Sequence, residues 1–183
     1  MFIKKILILF AIAITFPVYA FCDETIKAQN NAYRHNNQGL MYLEEKYYFG
    51  AIKEFQIAID LVPNSQASAA YYTNLGRTYE KIGYHNLATP CFEKALSLNV
   101  LYFDYYLQLA QNYKNIGVLD KKISLYHSKK DSPLNEVLLG LLYIQKGKKD
   151  IGITILDDFC HKEKNLLITK GIQNYLKKIT SEL

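Results

Sequence analysis

Cysteine is scarce in this chain, and the short motifs that carry metal or phosphate chemistry are missing. Three cysteines, Cys22, Cys91 and Cys160, leave one unpaired under any disulfide scheme, which excludes a core built from disulfides. There is no HExxH, no paired CxxC and no glycine-rich phosphate loop. The four histidines, His35, His85, His127 and His161, show no carboxylate or second histidine at ligand spacing, so no metal site is expected. Cys160 adjoins His161, but neighbours on a helix point about 100° apart, and the pair reads as helix-surface residues beside Phe159. No catalytic residue and no cofactor is therefore expected, and the chain reads as a non-enzyme.

An excess of one charge is also lacking. Twenty-two basic and 17 acidic residues give a net charge of +5, too mild for a nucleic-acid footprint. The longest apolar run, Ile6 to Phe16, is shorter than the roughly 20 residues that span a bilayer. Behind Lys4 and Lys5, and before Pro17, Val18, Tyr19 and Ala20, it has the layout of a secretory signal peptide over residues 1–20, cut after Ala20. Export to a bacterial periplasm or to the outside is the expectation, with membrane contact only through this segment; if left uncut, it would anchor the chain. Cys22 stands near the cut, where a lipoprotein would carry its lipid, but Phe21 replaces the small residue such signals resemble one another in having.

Half of the 183 residues are hydrophobic, enough for one sizeable core. Gly39, Tyr42, Ala51, Phe55, Ala58 and Pro63 recur at the same offsets as Gly76, Tyr79, Ala88, Phe92, Ala95 and Val100, with five of six residue types kept. The pattern returns around Ala110, with Leu109, Tyr113 and Gly117, and around Gly140, with Leu139, Tyr143 and Gly147. The steps are 37, 34 and 30 residues.

A period near 34 residues, built from paired helices with small residues at the crossing points, resembles the tetratricopeptide repeat family. The resemblance implies an all-α helical-repeat solenoid of four helix pairs over residues 32–68, 69–102, 103–132 and 133–164. A linker or helix extension over 21–31 would precede them, and a capping helix over 165–183 would follow. In repeat two, Tyr72, Leu75, Gly76 and Tyr79 share one helix face, while Ala88, Phe92 and Ala95 share another. Gly76 is expected against Ala88, with Phe92 wedged between the helices. Asn86 is expected to cap the second helix, which puts Pro90 at its fourth position, and Ser132 with Pro133 is expected to open the seventh. Lys122 and Lys129 stand where alanines belong, so the array is expected to splay there. In the last helix, Ile168, Ile172, Tyr175, Leu176 and Ile179 share one face and Lys170, Gln173, Lys177 and Lys178 the other. Cys91 and Cys160 fall in second helices with another layer between them and read as buried thiols.

In this family the first helix of each pair lines a concave groove. By position, that lining is Asn36 and Leu40, then Thr73, Asn74, Arg77 and Lys81, then Leu107, Gln108, Gln111 and Lys114. Amides and bases of this kind can bind an extended peptide, Arg77 gripping a carboxylate through two parallel bonds. Family members that clamp a terminal carboxylate carry Lys and Asn where Asn36 and Leu40 stand, and bases where Asp104 and Gln108 stand. Only Asn74 matches, so that clamp is absent. Val137, Leu141 and Ile144, in an all-round apolar helix, form an apolar patch that either the array's own cap or curvature covers, or a hydrophobic partner or a second copy does. The resemblance thus implies an exported module that binds a peptide or protein, not nucleic acid, as a scaffold or assembly factor of the cell envelope or a secretion system. The alternative is a self-associating structural component that uses the fourth repeat and Cys22.

Overall fold

A computed structural model describes residues 24–129 and 131–181 of the chain. The expected signal peptide and cut site, with Cys22, lie outside the described residues. Among the described residues there are nine helices and no strand. Helix α1 covers 24–44. It is followed by α2 (Tyr48–Leu61), α3 (Ser68–Lys81), α4 (His85–Leu98) and α5 (Phe103–Asn115). The last four are α6 (Leu119–Ser128), α7 (Leu134–Gln145), α8 (Lys149–Lys162) and α9 (Leu167–Ser181).

One turn is used four times. Gly83, Gly117 and Gly147 adopt φ of 80°, 71° and 85°, and Lys46, at the same place after α1, adopts 61°. The residue after each donates its N–H to the carbonyl of a tyrosine five places back: Tyr42, Tyr79, Tyr113 or Tyr143, at 2.8 to 3.0 Å. The left-handed residue itself bonds four times to the carbonyl three places back. Together these bonds satisfy the last carbonyls of each odd helix and send the chain straight into the next one. Three of the four turns use the residue for which a positive φ costs least.

Packing inside each pair follows from missing β-carbons. A β-carbon on Gly39 would lie 2.6 Å from the ring of Phe55, one on Gly76 2.8 Å from the ring of Phe92, and one on Gly140 2.8 Å from Leu156. The nearest partner of Gly76 is therefore the Phe92 ring and not Ala88, because the ring reaches across the whole width of the glycine. Ala51, Phe55, Ala58, Ala88, Phe92 and Ala95 are fully buried. A smaller apolar core joins α1, α2 and α3 with Cys91 of α4, and the largest joins α4, α5, α7, α8 and α9.

Two helix starts differ from the sequence expectation. The carbonyl of Tyr84 already accepts the N–H groups of Leu87 and Ala88, so α4 starts at His85, Asn86 is inside it, and Pro90 sits at the sixth position. The cause is the Gly83 turn, which delivers the chain in helical register two residues sooner than a side-chain cap would. Pro90 and Asn86 are exposed, so water can serve the Asn86 carbonyl that the proline leaves without a donor. Helix α7 starts at Leu134, one residue late, yet the Ser132 hydroxyl still accepts the Leu134 N–H at 3.3 Å.

Helix α6 splays, as its lysines imply. No residue of it is buried, and α5 packs directly on α7 beside it. Leu119, Ile123 and Tyr126 pack half-buried against the edge of the core, and polar contacts add to their hold. The fully buried Tyr113 donates its hydroxyl proton to Glu93 at 2.6 Å and accepts from the Lys122 ammonium at 2.9 Å, which also lies 4.2 Å from the centre of the Tyr113 ring. At the far end Lys146, just after α7, pairs with Asp120. Helix α9 buries Ile168, Ile172 and Leu176 against α8 and α5, leaving Lys170, Gln173, Lys177 and Lys178 exposed.

These contacts give two stability expectations, both readable by urea denaturation. Phe92→Ala should cost about 3–5 kcal/mol, the range for deleting a buried phenylalanine. Lys46→Gly should stabilise by about 0.5–1 kcal/mol, since relief of the left-handed strain exceeds the added chain entropy. A third concerns exchange kinetics: in Lys122→Met, amide hydrogens of α6 should exchange faster than in the parent while those of α3 and α4 keep their rates.

Candidate peptide-binding face

Among the described helices, α5 touches α3, α7 and α9, whereas no two of α2, α4, α6 and α8 touch each other. Helices that meet along an array lie on its inner radius and those that splay lie outside. The odd helices therefore make the concave side, and two joined clefts open on it between α3 and α5.

The first, about 220 Å³, is lined by Thr73, Asn74 and Arg77 of α3 with Asp104, Tyr105 and Gln108 of α5, Tyr102 lying at its edge. The second, about 350 Å³, shares Arg77 and Gln108 and adds Glu80, Lys81, His85 and Asn115. Arg77 and Lys81 are exposed and Gln108 is half-buried. Glu80 accepts a hydrogen bond from Asn115 Nδ2 at 3.2 Å, and partial burial raises its pKa against the pull of Asn115, His85, Arg77 and Lys81. His85 Nδ1 is buried with no hydrogen-bond partner among the described residues. The cleft thus offers cationic and amide donors from α3 and α5, with carboxylates of Glu80 and Asp104 at its sides.

The residues named from sequence divide accordingly. Thr73, Asn74, Arg77, Lys81 and Gln108 come together. The Thr73 hydroxyl donates to Ala69 O of its own helix at 2.8 Å, so as a donor it is committed. Asn36 is 7% exposed and accepts from Asn74 Nδ2 at 2.9 Å, which ties α1 to α3 and orients the Asn74 amide. Leu40 is half-buried and packs against the edge of the core that holds Ala32 and Phe55. Gln111 donates to Asn115 at 3.0 Å, and Gln111 and Lys114 line neither cleft. The apolar patch is closed: Val137 and Leu141 are fully buried in the core with Phe103, Ile168 and Ile172, and Ile144 is half-buried against Gly152. Val137 and Leu141 are thus taken up by the array's own core and offer no open apolar patch.

Sequence reasoning missed Glu80, Asn115 and His85. Glu80 is three residues from Arg77 and Asn115 seven from Gln108, so both fall on helix faces already identified and could have been found by extending them one turn. His85 reaches the cleft through the turn at Gly83, which no local spacing reveals.

The candidate nucleophiles are placed elsewhere. Two histidines do have carboxylates: His35 Nδ1 lies 2.7 Å from Glu54, and His161 Nδ1 lies 3.5 Å from Asp157 one turn back, both missed in the sequence. Each is a pair, and no group of three or more ligating side chains occurs among the described residues. Cys160 Sγ points to Thr169 O and His161 to Asp157 O, so the neighbours do not meet. Cys91 and Cys160 are free, buried thiols. No helix among the described residues is long and apolar enough to cross a membrane.

The decisive comparison concerns α3 and α4. Residues 69–99 match the tetratricopeptide repeat. The chain is 28% identical over 131 residues to the anaphase-promoting complex subunit CDC16 of Saccharomyces cerevisiae, covering 69% of this chain. It is 24% identical over 167 residues, 88% of this chain, to a TPR repeat-containing protein of Methanocaldococcus jannaschii. It spans only 15% and 26% of the length of these two relatives. Among solved structures it is similar to MamA, with 25% identity, a TM-score of 0.50, and coverage of 78% of this chain and 84% of that one. A tetratricopeptide repeat protein from Parabacteroides merdae superimposes with a TM-score of 0.52 at 17% identity, covering 84% and 61%. The fold is the all-helical tetratricopeptide solenoid.

The buried thiols generate a pH expectation. Burial pushes Cys91 up to about 11, above the ordinary cysteine value of 9.0. The native state therefore keeps this proton between pH 9 and 11, where an unfolded chain loses it, and stability from this group declines as pH rises through that window. At pH 8, iodoacetamide should alkylate Cys91 far more slowly in the native protein than in urea, as read by peptide mass spectrometry.

Proposed function

We propose that this protein is an exported tetratricopeptide module that holds a peptide or protein segment along its inner face, as a scaffold or assembly factor of the cell envelope or a secretion complex. Export rests on the N-terminal sequence: Lys4, Lys5, the apolar run and Ala20. Peptide binding rests on the paired clefts between α3 and α5. There, exposed Arg77 and Lys81 lie beside the amides of Asn74 and Gln108, and the Asn36–Asn74 bond holds one amide in place. An extended strand offers carbonyls and N–H groups at regular intervals, which amides can match in both senses. An acidic side chain would take the Arg77 fork.

The test is capture from an envelope extract by the chain from residue 21 onward, set against an Arg77→Glu, Gln108→Glu variant. A partner retained by the first should fall at least about tenfold with the second, the scale of one lost charge-assisted contact. Equal capture by both would contradict groove binding, and capture of the chain's own copies alone would replace it with self-association.

A further inference from the structure

A larger cleft lies where α9 folds back over the start of α5. It holds about 610 Å³, within the roughly 300–1,000 Å³ range of ligand pockets. Its walls are mostly apolar, with Leu101, Phe103 and Leu107 on one side and Leu167 and Tyr175 on the other, and Asp104, Lys170, Asn174 and Lys178 add polar groups. Gly171 makes the close approach possible, since a β-carbon there would stand 2.9 Å from Phe103 Cβ. The rings of Phe103 and Tyr175 meet at 5.5 Å and 57° and form part of the wall. Leu167 is 75% exposed, the highest value among the exposed large apolar residues.

Two features say what would fill it. Lys170 and Lys178 line it, and helix α9 carries three lysines and no acidic residue from Leu167 to Ser181. The cleft also shares Tyr102 and Asp104 with the polar cleft between α3 and α5, so the two form one path. From this continuity and this charge we infer that the α5–α9 cleft is the anchor pocket of the groove. Its occupant is a bulky apolar side chain of an extended, acidic partner segment whose backbone continues past Asp104 toward Gln108, Asn74 and Arg77. The inference rests on the groove reading proposed above and adds the chemistry of the partner: one aromatic or branched apolar residue, flanked by carboxylates that Lys170 and Lys178 attract.

Fluorescence anisotropy tests it with labelled octapeptides of aspartate, glutamate and asparagine, each with one phenylalanine at a different position, and a matched set with serine in its place. The protein is the chain from residue 21 onward. At least one phenylalanine peptide should bind tenfold or more tightly than its serine partner. Lys170→Glu with Lys178→Glu, both on the exposed face of α9, should weaken it tenfold or more, and Leu107→Ser should erase the preference for phenylalanine. Binding that loses strength only in Arg77→Glu and ignores the anchor residue would overturn the pocket while leaving the groove reading in place. Binding that depends on Leu107 and the lysines but not on Arg77 would keep the pocket and refute the groove reading. Silence of every peptide, with dodecanoate binding in a Leu107-dependent way, would assign the cleft to an anionic amphiphile and overturn the inference, as would silence of both probes.

Discussion

A β-carbon at Gly39, Gly76 or Gly140 would stand 2.6 to 2.8 Å from a side chain on the next helix, and the absence of that atom lets each of these helix pairs close. Interiors packed to crystalline density have no slack for one extra methyl group. With the pairs closed to the same depth, each hands the chain on through the same left-handed turn, and the repetition in space follows from repetition in sequence. The third pair shows what happens without the constraint. Ala110 stands where the glycine would be, Lys122 and Lys129 stand where alanines belong, and α6 buries no residue fully, resting Leu119, Ile123 and Tyr126 on the edge of the core beside the Tyr113–Glu93–Lys122 contacts.

The departure of α6 has a consequence for the inner face. Helix α5 packs on α7 and also reaches α9, so the array curls more tightly in its second half than in its first. The curl hides the apolar residues of α7, leaves an apolar cleft where α9 rides over Phe103, and joins it to the polar cleft facing α3. Shape and chemistry of the inner face thus trace to one irregular repeat, and a regular array of four identical pairs would have had no reason to place an apolar pocket beside a polar one.

Much of this was legible because it is local. The tyrosine and glycine four residues apart that close three of the four turns, the two faces of α9 and the lysines that loosen α6 are all periodic signals within one or two helices. What stayed hidden depends on contacts between distant parts of the chain. Val137 and Leu141 were expected to need a cover, from the array itself or from a partner, and nothing near them in sequence says that they share one core with Phe103, Ile168 and Ile172. Leu40 looked like groove lining, and it also packs half-buried against the core around Phe55. Asn86 looked like a cap because its residue type favours that role, but the Gly83 turn had already started the helix. Within the candidate site, the α3 residues were readable as one helix face, while the meeting of α5 with α9 required Gly171 to be seen against Phe103.

The central claim is that recognition belongs to the inner face of the odd helices. Hydrogen–deuterium exchange on the chain from residue 21 onward, with and without a saturating acidic phenylalanine peptide, tests it most directly. The account predicts slowed exchange in α3, α5 and α9, with α4, α6 and α8 unchanged. Protection confined to the even helices would place binding on the outer face and contradict it.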